Sequence, residues 1–397
     1  MSQLNTRLWT REFISLSAIN FFITLIFFLL NSTITLYAIN EFNATSSQAG
    51  IIAGVFIIGS LIGRLLTGRL VKSKKILITG LLMFILTTLL YLIHYNISFL
   101  ILSRLINGFT VGMAQTVVGT VVVMTLPASR KGEGISYFAI STALATGLGP
   151  FIGMYMSQNV SFNMIYYLCF LLGLINFVIA IFIKIPLPNN TEAKKEKGIK
   201  LSDFIELKVL PIAIIAFLMS FCFSGIISYL NVYALELNLV DSASFFFMVY
   251  TVFVLISRPF TGRVVDKKGA NVIMYPAFVL FGAGLLLLGS VTSGVTLLVA
   301  AGLVALGFGN ISSISQAVSI SLAEPHRVGL ATATFFIFID LGNGFGPSVI
   351  GMIIPYTGYD GLYVFLGLLV LTTLVFYYFL YGRRESAHRK QLSTTER

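Results

Sequence analysis

Leu61–Lys75 reads LIGRLLTGRLVKSKK, and Leu255–Gly269 reads LISRPFTGRVVDKKG. At an offset of 194 residues, Leu61, Ile62, Arg64, Thr67, Gly68, Arg69 and Val71 match Leu255, Ile256, Arg258, Thr261, Gly262, Arg263 and Val265. A repeat at half the chain length points to two related halves. In each copy a cluster of positive charge separates two apolar runs, the pattern of a loop between membrane spans.

Composition agrees. The chain is 57% hydrophobic and 10% charged, with mean hydropathy +0.92. A soluble chain carries about 25% charged residues, so this one has too few for a water-soluble surface. A span needs about 20 apolar residues. Twelve segments qualify: 13–39, 47–69, 76–94, 99–126, 135–156, 162–183, 209–235, 243–264, 271–291, 295–321, 329–355 and 361–381. The first is too long for the apolar core of a signal peptide and lacks a small-residue cleavage site. The expected fold is an all-α membrane protein, with twelve transmembrane helices in two pseudo-symmetric six-helix bundles. The bundles are 1–183 and 209–397, the second ending in a short cytoplasmic tail. Between them 184–208, with Pro186, Pro188 and KKEKGIK, reads as a cytoplasmic linker.

Lys and Arg set the orientation. With both termini inside, the outer loops near 40–46, 95–98, 157–161, 236–242, 292–294 and 356–360 contain neither residue. Of 26 basic residues only Arg104 lies away from the inner side. The net charge of +11 is therefore explained by topology and anionic lipid, and no nucleic-acid partner is expected. Cys169 and Cys222 sit inside apolar runs without metal-ligand spacing, and the three His residues are far apart. No metal, no cofactor and no enzyme activity are expected, and no phosphate-binding loop points to ATP.

Charge inside a membrane is costly and usually functional. Asp340 lies about 16 Å into span eleven, near the midplane. It is the one acid placed deep in a span. It fits a proton carrier, or an acid satisfied by Asn343. Arg104 lies about 8 Å from the outer end of span four. It fits a fixed charge that acts on a proton or an anionic group, or a side chain that snorkels to the interface. Polar and aromatic stripes at helical spacing mark a candidate substrate cavity. They are Asn20, Thr24, Phe27 and Asn31 in span one, Asn107 and Gln115 in span four, and Ser224, Tyr229 and Asn231 in span seven. Tyr250 in span eight and Asn310, Ser313 and Gln316 in span ten complete the set. Each polar residue alone also fits a helix-to-helix hydrogen bond. In span five Ala145, Gly149 and Gly153 repeat every four residues beside Pro150, and Gly346-Pro347 repeats the element in span eleven.

These features resemble the major facilitator superfamily over essentially the whole chain. Arg258, Gly262, Arg263 and Asp266 match the family's loop after the second span of a half. Arg64, Gly68 and Arg69 form the first copy, with Lys72 where the Asp belongs. Arg104-Leu-Ile-Asn-Gly108 and Gly149-Pro150-Phe-Ile-Gly153 resemble the span-four and span-five patterns of the twelve-span drug–proton antiporters. The resemblance implies alternating access and gating at these loops. It also implies proton-coupled export of a small molecule, driven by the proton gradient, by a multi-pass protein of the cell membrane. A monomer is expected. Residue usage rich in Ile, Asn, Lys and Phe suggests a Gram-positive bacterium, in which similar chains export drugs or dedicated metabolites, including metallophores of staphylococci. An anionic or zwitterionic metabolite is the alternative to a multidrug substrate. The Gly-Pro element argues against an importer, and a membrane sensor would need a regulatory domain that neither tail is long enough to form.

Overall fold

The computed structural model describes residues 8–68, 74–127, 131–183, 205–324 and 327–385. Every regular element among them is helical. The spans are α1 (Arg11–Phe42), α2 (Ser46–Gly68), α3 (Lys74–Leu89), α4 (Ile97–Thr125), α5 (Lys131–Asn159) and α6 (Phe162–Phe182). They continue as α7 (Leu210–Glu236), α8 (Val240–Lys268) and α9 (Asn271–Leu288). Then come α10 (Gly294–Ser321) and α11 (Val328–Tyr377). Eleven described helices are long and apolar enough to cross a membrane. The count differs from twelve because α11 runs through the predicted loop at 356–360. Gly358 interrupts it at φ 67°, a backbone conformation that favours glycine. The break divides α11 into two arms, which serve as spans eleven and twelve.

Polar residues at the span ends set where helices begin. Thr10 accepts from the Phe13 N–H at 3.2 Å, and Asn96 accepts from the Phe99 N–H at 2.8 Å. Before α2, Gln48 Oε1 accepts from the Thr45 N–H at 3.0 Å, while Thr45 Oγ1 accepts from the Gln48 N–H at 3.2 Å. This reciprocal cap satisfies amides that a helix start leaves free.

The chain divides into two compact units, Met1–Lys195 and Glu196–Arg397. The division falls inside the predicted linker, of which only 205–208 is described. In the first unit α2 lies along α4, α1 along α5, and α3 packs on both α4 and α6. In the second, α8 lies along α10, α7 along α11, and α9 packs on α10 and α11. The same pairing scheme in both units is the structural form of the sequence repeat.

The tightest contact in the first unit joins α2 to α4. A Cβ on Gly59 would lie 2.1 Å from Leu105 O, and one on Gly63 would lie 2.2 Å from Phe109 O. In return, a Cβ on Gly108 would lie 1.9 Å from Phe56 O, and one on Gly112 would lie 2.0 Å from Ser60 O. The obstacles are backbone atoms, so no side-chain adjustment can relieve them. Apolar side chains gain little by leaving lipid for one another, so close backbone packing of this kind is what binds spans together. Gly108→Ala is expected to lower the thermal unfolding midpoint of the detergent-solubilised protein by several degrees, since overpacking costs about 1–3 kcal/mol. Gly262→Ala serves as control, because nothing lies within 4 Å of a Cβ there. Equal midpoints for the two variants would contradict the contact.

Candidate functional site

Arg104 is the largest fully buried side chain of the first unit, at 0% exposure. The snorkelling expectation is thereby overturned: the side chain turns into the unit because α2 offers it acceptors. Its Nε donates to Ile52 O at 3.2 Å, and its Nη2 donates to Asn31 Oδ1 on α1 at 3.1 Å. The guanidinium lies 4.5 Å from the centre of the Phe56 ring, a cation–π distance. Phe56 stacks on Phe27 at 5.2 Å. Beyond the guanidinium, the buried Tyr91 follows α3 in a short turn, Leu90–Leu92, with its hydroxyl toward Arg104. Every one of these partners is neutral.

Several residues read as candidate cavity lining tie helices together, the alternative that each polar residue also fitted. Asn107 is fully buried and donates to Thr87 Oγ1 at 2.8 Å and Thr88 Oγ1 at 3.3 Å, which fastens α4 to α3. Asn20 donates to Ser141 Oγ at 2.8 Å and Thr142 Oγ1 at 2.9 Å, which fastens α1 to α5. In the second unit Asn310 accepts from Thr261 Oγ1 at 2.9 Å and donates to Leu306 O at 2.8 Å. It follows a π turn, Ala305–Gly309, and joins α10 to α8. In each case the polar group needs a partner that lipid cannot supply, and the neighbouring helix supplies it. Gln115 accepts from Arg64 Nη2 at 2.8 Å, so a predicted gating residue and a predicted cavity residue meet across the α2–α4 contact. Thr24 is buried.

In the second unit Asp340 is half-buried on the first arm of α11. That arm packs on α7. A Cβ on Gly342 would lie 2.5 Å from Phe217 O, and one on Gly346 would lie 2.0 Å from Ser224 Oγ. Tyr229 donates to Pro347 O at 2.8 Å across the same seam. Gly149 and Gly153 of α5 make the matching approach to α1, with a Cβ 2.8 Å from Leu25 O and 2.7 Å from Leu29 O respectively. The two Gly-Pro elements therefore occupy equivalent seams. Ser224 and Asn231 are buried on α7. Tyr250 packs on Phe223 at 5.4 Å, and Phe223 stacks on Phe308 at 4.0 Å. Ser313 donates to Gly309 O at 2.8 Å, and Gln316 is half-buried. Of the gating motifs, Gly68 ends α2, Arg258 is half-buried and Arg263 exposed. Arg69 and the Asp266 side chain lie outside the described residues.

An ion pair absent from the sequence reading joins Glu206, at the entry to α7, to Arg327, at the start of α11. The Glu206 N–H also donates to Thr334 Oγ1 at 2.9 Å. The bond from Arg327 holds the Glu206 carboxyl below the ordinary carboxylate range, against the opposing effect of burial. Lys208 and Glu324 form a second pair nearby at 3.0 Å, both exposed. Their separation in sequence left no local signal.

The chain belongs to the major facilitator superfamily. The family model matches residues 16–289 and 240–397, and the chain is a multi-pass membrane transporter of that family. It is 27% identical over 339 residues to an uncharacterized MFS-type transporter of Methanocaldococcus jannaschii, covering 81% of this chain and 86% of the relative. It is 29% identical over 147 residues to the quinolone resistance protein NorA of Staphylococcus aureus, covering 36% of this chain and 37% of NorA. Among solved structures it resembles a POT family transporter in complex with a thioalcohol-conjugated peptide. That likeness has TM-score 0.76 and 14% identity, over 94% of this chain and 97% of the other. It also resembles a bacterial homolog of the human lysosomal transporter Spinster, inward-facing and unoccupied. There the TM-score is 0.70 at 14% identity, over 96% and 97% of the two chains. At such identities the structural likeness establishes the fold alone.

The depressed carboxyl of Glu206 stabilises the fold at pH above its ordinary value of about 4.3, and that contribution is lost as pH falls through the depressed value. Glu206→Gln is expected to unfold at a lower temperature than wild type at neutral pH. The gap is expected to close on acidification below about pH 4. A gap that stays constant across that range, in a thermal-shift series, would contradict the pairing.

Proposed function

We propose that the chain is a proton-driven exporter of small organic molecules, an antiporter working by alternating access in the cell membrane. The observation that carries this reading is a division of charge. The first unit holds a permanently charged, fully buried Arg104. The second holds Asp340, a half-buried carboxyl on α11. A guanidinium does not shed its proton in a protein, whereas a carboxyl can take one up and give it back. Proton entry to Asp340 from outside would accompany release of substrate, and proton loss inside would reset the site. The partial match to NorA and the Gly-Pro seam of α5 support export over import. The distribution of Lys and Arg supports termini on the cytoplasmic side.

A second reading is favoured by one feature. Among the described residues of its own unit the partners of Arg104 are all neutral, so its charge acts at a distance without being cancelled by a neighbouring acid. A dedicated exporter of an anionic or zwitterionic metabolite, such as a metallophore, suits that arrangement better than a pump for lipophilic cations.

Asp340→Asn is expected to abolish export driven by a pH gradient in everted membrane vesicles while leaving the unfolding midpoint unchanged. Arg104→Gln is expected to reduce it strongly as well. Export in the Asp340→Asn vesicles that still rises with the imposed gradient would rule out Asp340 as the coupling group.

A further inference from the structure

Arg104 lies in a half of the chain whose predicted spans contain no acid. Residues 1–183 contain no Asp, and their three Glu, at 12, 41 and 133, lie outside the predicted spans. The two described ones sit at opposite ends of α1: Glu12 in the first turn, Glu41 beside the last residue. The guanidinium therefore meets a carbonyl, a carboxamide, a phenyl face and a phenol. A single unscreened charge at an effective dielectric of about 20 changes the affinity for a monovalent ion about 10 Å away on the order of tenfold. It favours anions and opposes cations.

Asn31 is the side chain that accepts a hydrogen bond from this guanidinium, at 3.1 Å, and it is buried at 2% exposure. Asparagine and aspartate have nearly the same shape. At this position the choice between them decides whether Arg104 is neutralised, while the hydrogen bond is available to both. We infer that Asn31 sets the charge preference of the transporter. Its neutral amide fixes the guanidinium in place and leaves the charge uncompensated, so the chain favours substrates bearing a carboxylate or similar anionic group over lipophilic cations. Asn31 acts through Arg104 and is a positioning residue. The inference rests on the export reading, but it concerns binding, which can be measured without a proton gradient.

The test uses two dyes that share a xanthene core and differ in charge, anionic fluorescein and cationic rhodamine 123. Each is titrated into the purified full chain at equilibrium, with fluorescence anisotropy as the readout. Wild type is expected to bind fluorescein more tightly. Asn31→Asp is expected to shift the affinity ratio about tenfold toward rhodamine. Arg104→Gln, which removes the charge from the other side, is expected to shift it in the same direction. Asn31→Ala, which loses a hydrogen bond but adds no charge, is expected to keep the wild-type preference. A merely structural role for Asn31 would move both dyes together. A ratio within about twofold of wild type in both the Asn31→Asp and the Arg104→Gln variants would overturn the inference, as would binding of neither dye. Loss of gradient-driven export with the charge preference intact would refute the export reading alone.

Discussion

The contact of α2 with α4 is the constraint on which the first unit depends. Four glycines, 59, 63, 108 and 112, let two backbones meet where any side chain would collide with a carbonyl. Arg104 stands one turn before Gly108. Because the helices are this close, it reaches Ile52 O and the face of Phe56 without leaving α4. The same closeness brings Arg64 of α2 to Gln115 of α4 at 2.8 Å. A looser seam would leave the guanidinium without acceptors, in surroundings where each unmet donor costs several kcal/mol.

The second unit repeats the scheme with different chemistry. At the offset of the repeat, Gly59 and Gly63 correspond to Phe253 and Ser257. Here the side chains of α8 fit against glycines of α10: Phe253 ring atoms come within 3.6 Å of a Cβ position on Gly302. A π turn, Ala305–Gly309, interrupts α10 here, and π turns inside helices often mark functional segments. Asn310 satisfies Leu306 O at the turn and accepts from Thr261. One unit is thus built around a fixed charge and backbone contact. The other is built around side-chain packing, with Asp340 on the α11 arm.

Much of this was legible in the sequence. The repeat, the spans and the Gly-Pro seams all follow from periodicity. Even the break at Gly358 fell inside a predicted outer loop. What periodicity does not reveal is what a helical face meets. Asn20, Asn107 and Asn310 share faces that read as cavity walls, yet each is used by a neighbouring helix. Asn31 belonged to the same stripe and proved to be the partner of Arg104. The pairing of Glu206 with Arg327 depends on a fold that brings together residues 121 apart, so nothing local announced it. The close approach at Gly59 and Gly63 was not read from the sequence. It emerged only with the matching pair on α4.

The central claim is that substrate and proton exchange on one protein, against the background of the fixed Arg104 charge. Binding linkage is reciprocal, so a substrate that competes with a proton must release one when it binds. The direct measurement is the pH of a weakly buffered solution of purified protein as fluorescein is added. The expected result is net release of protons on dye binding, absent in Asp340→Asn. Binding with no proton release, or release that persists unchanged in Asp340→Asn, would contradict it.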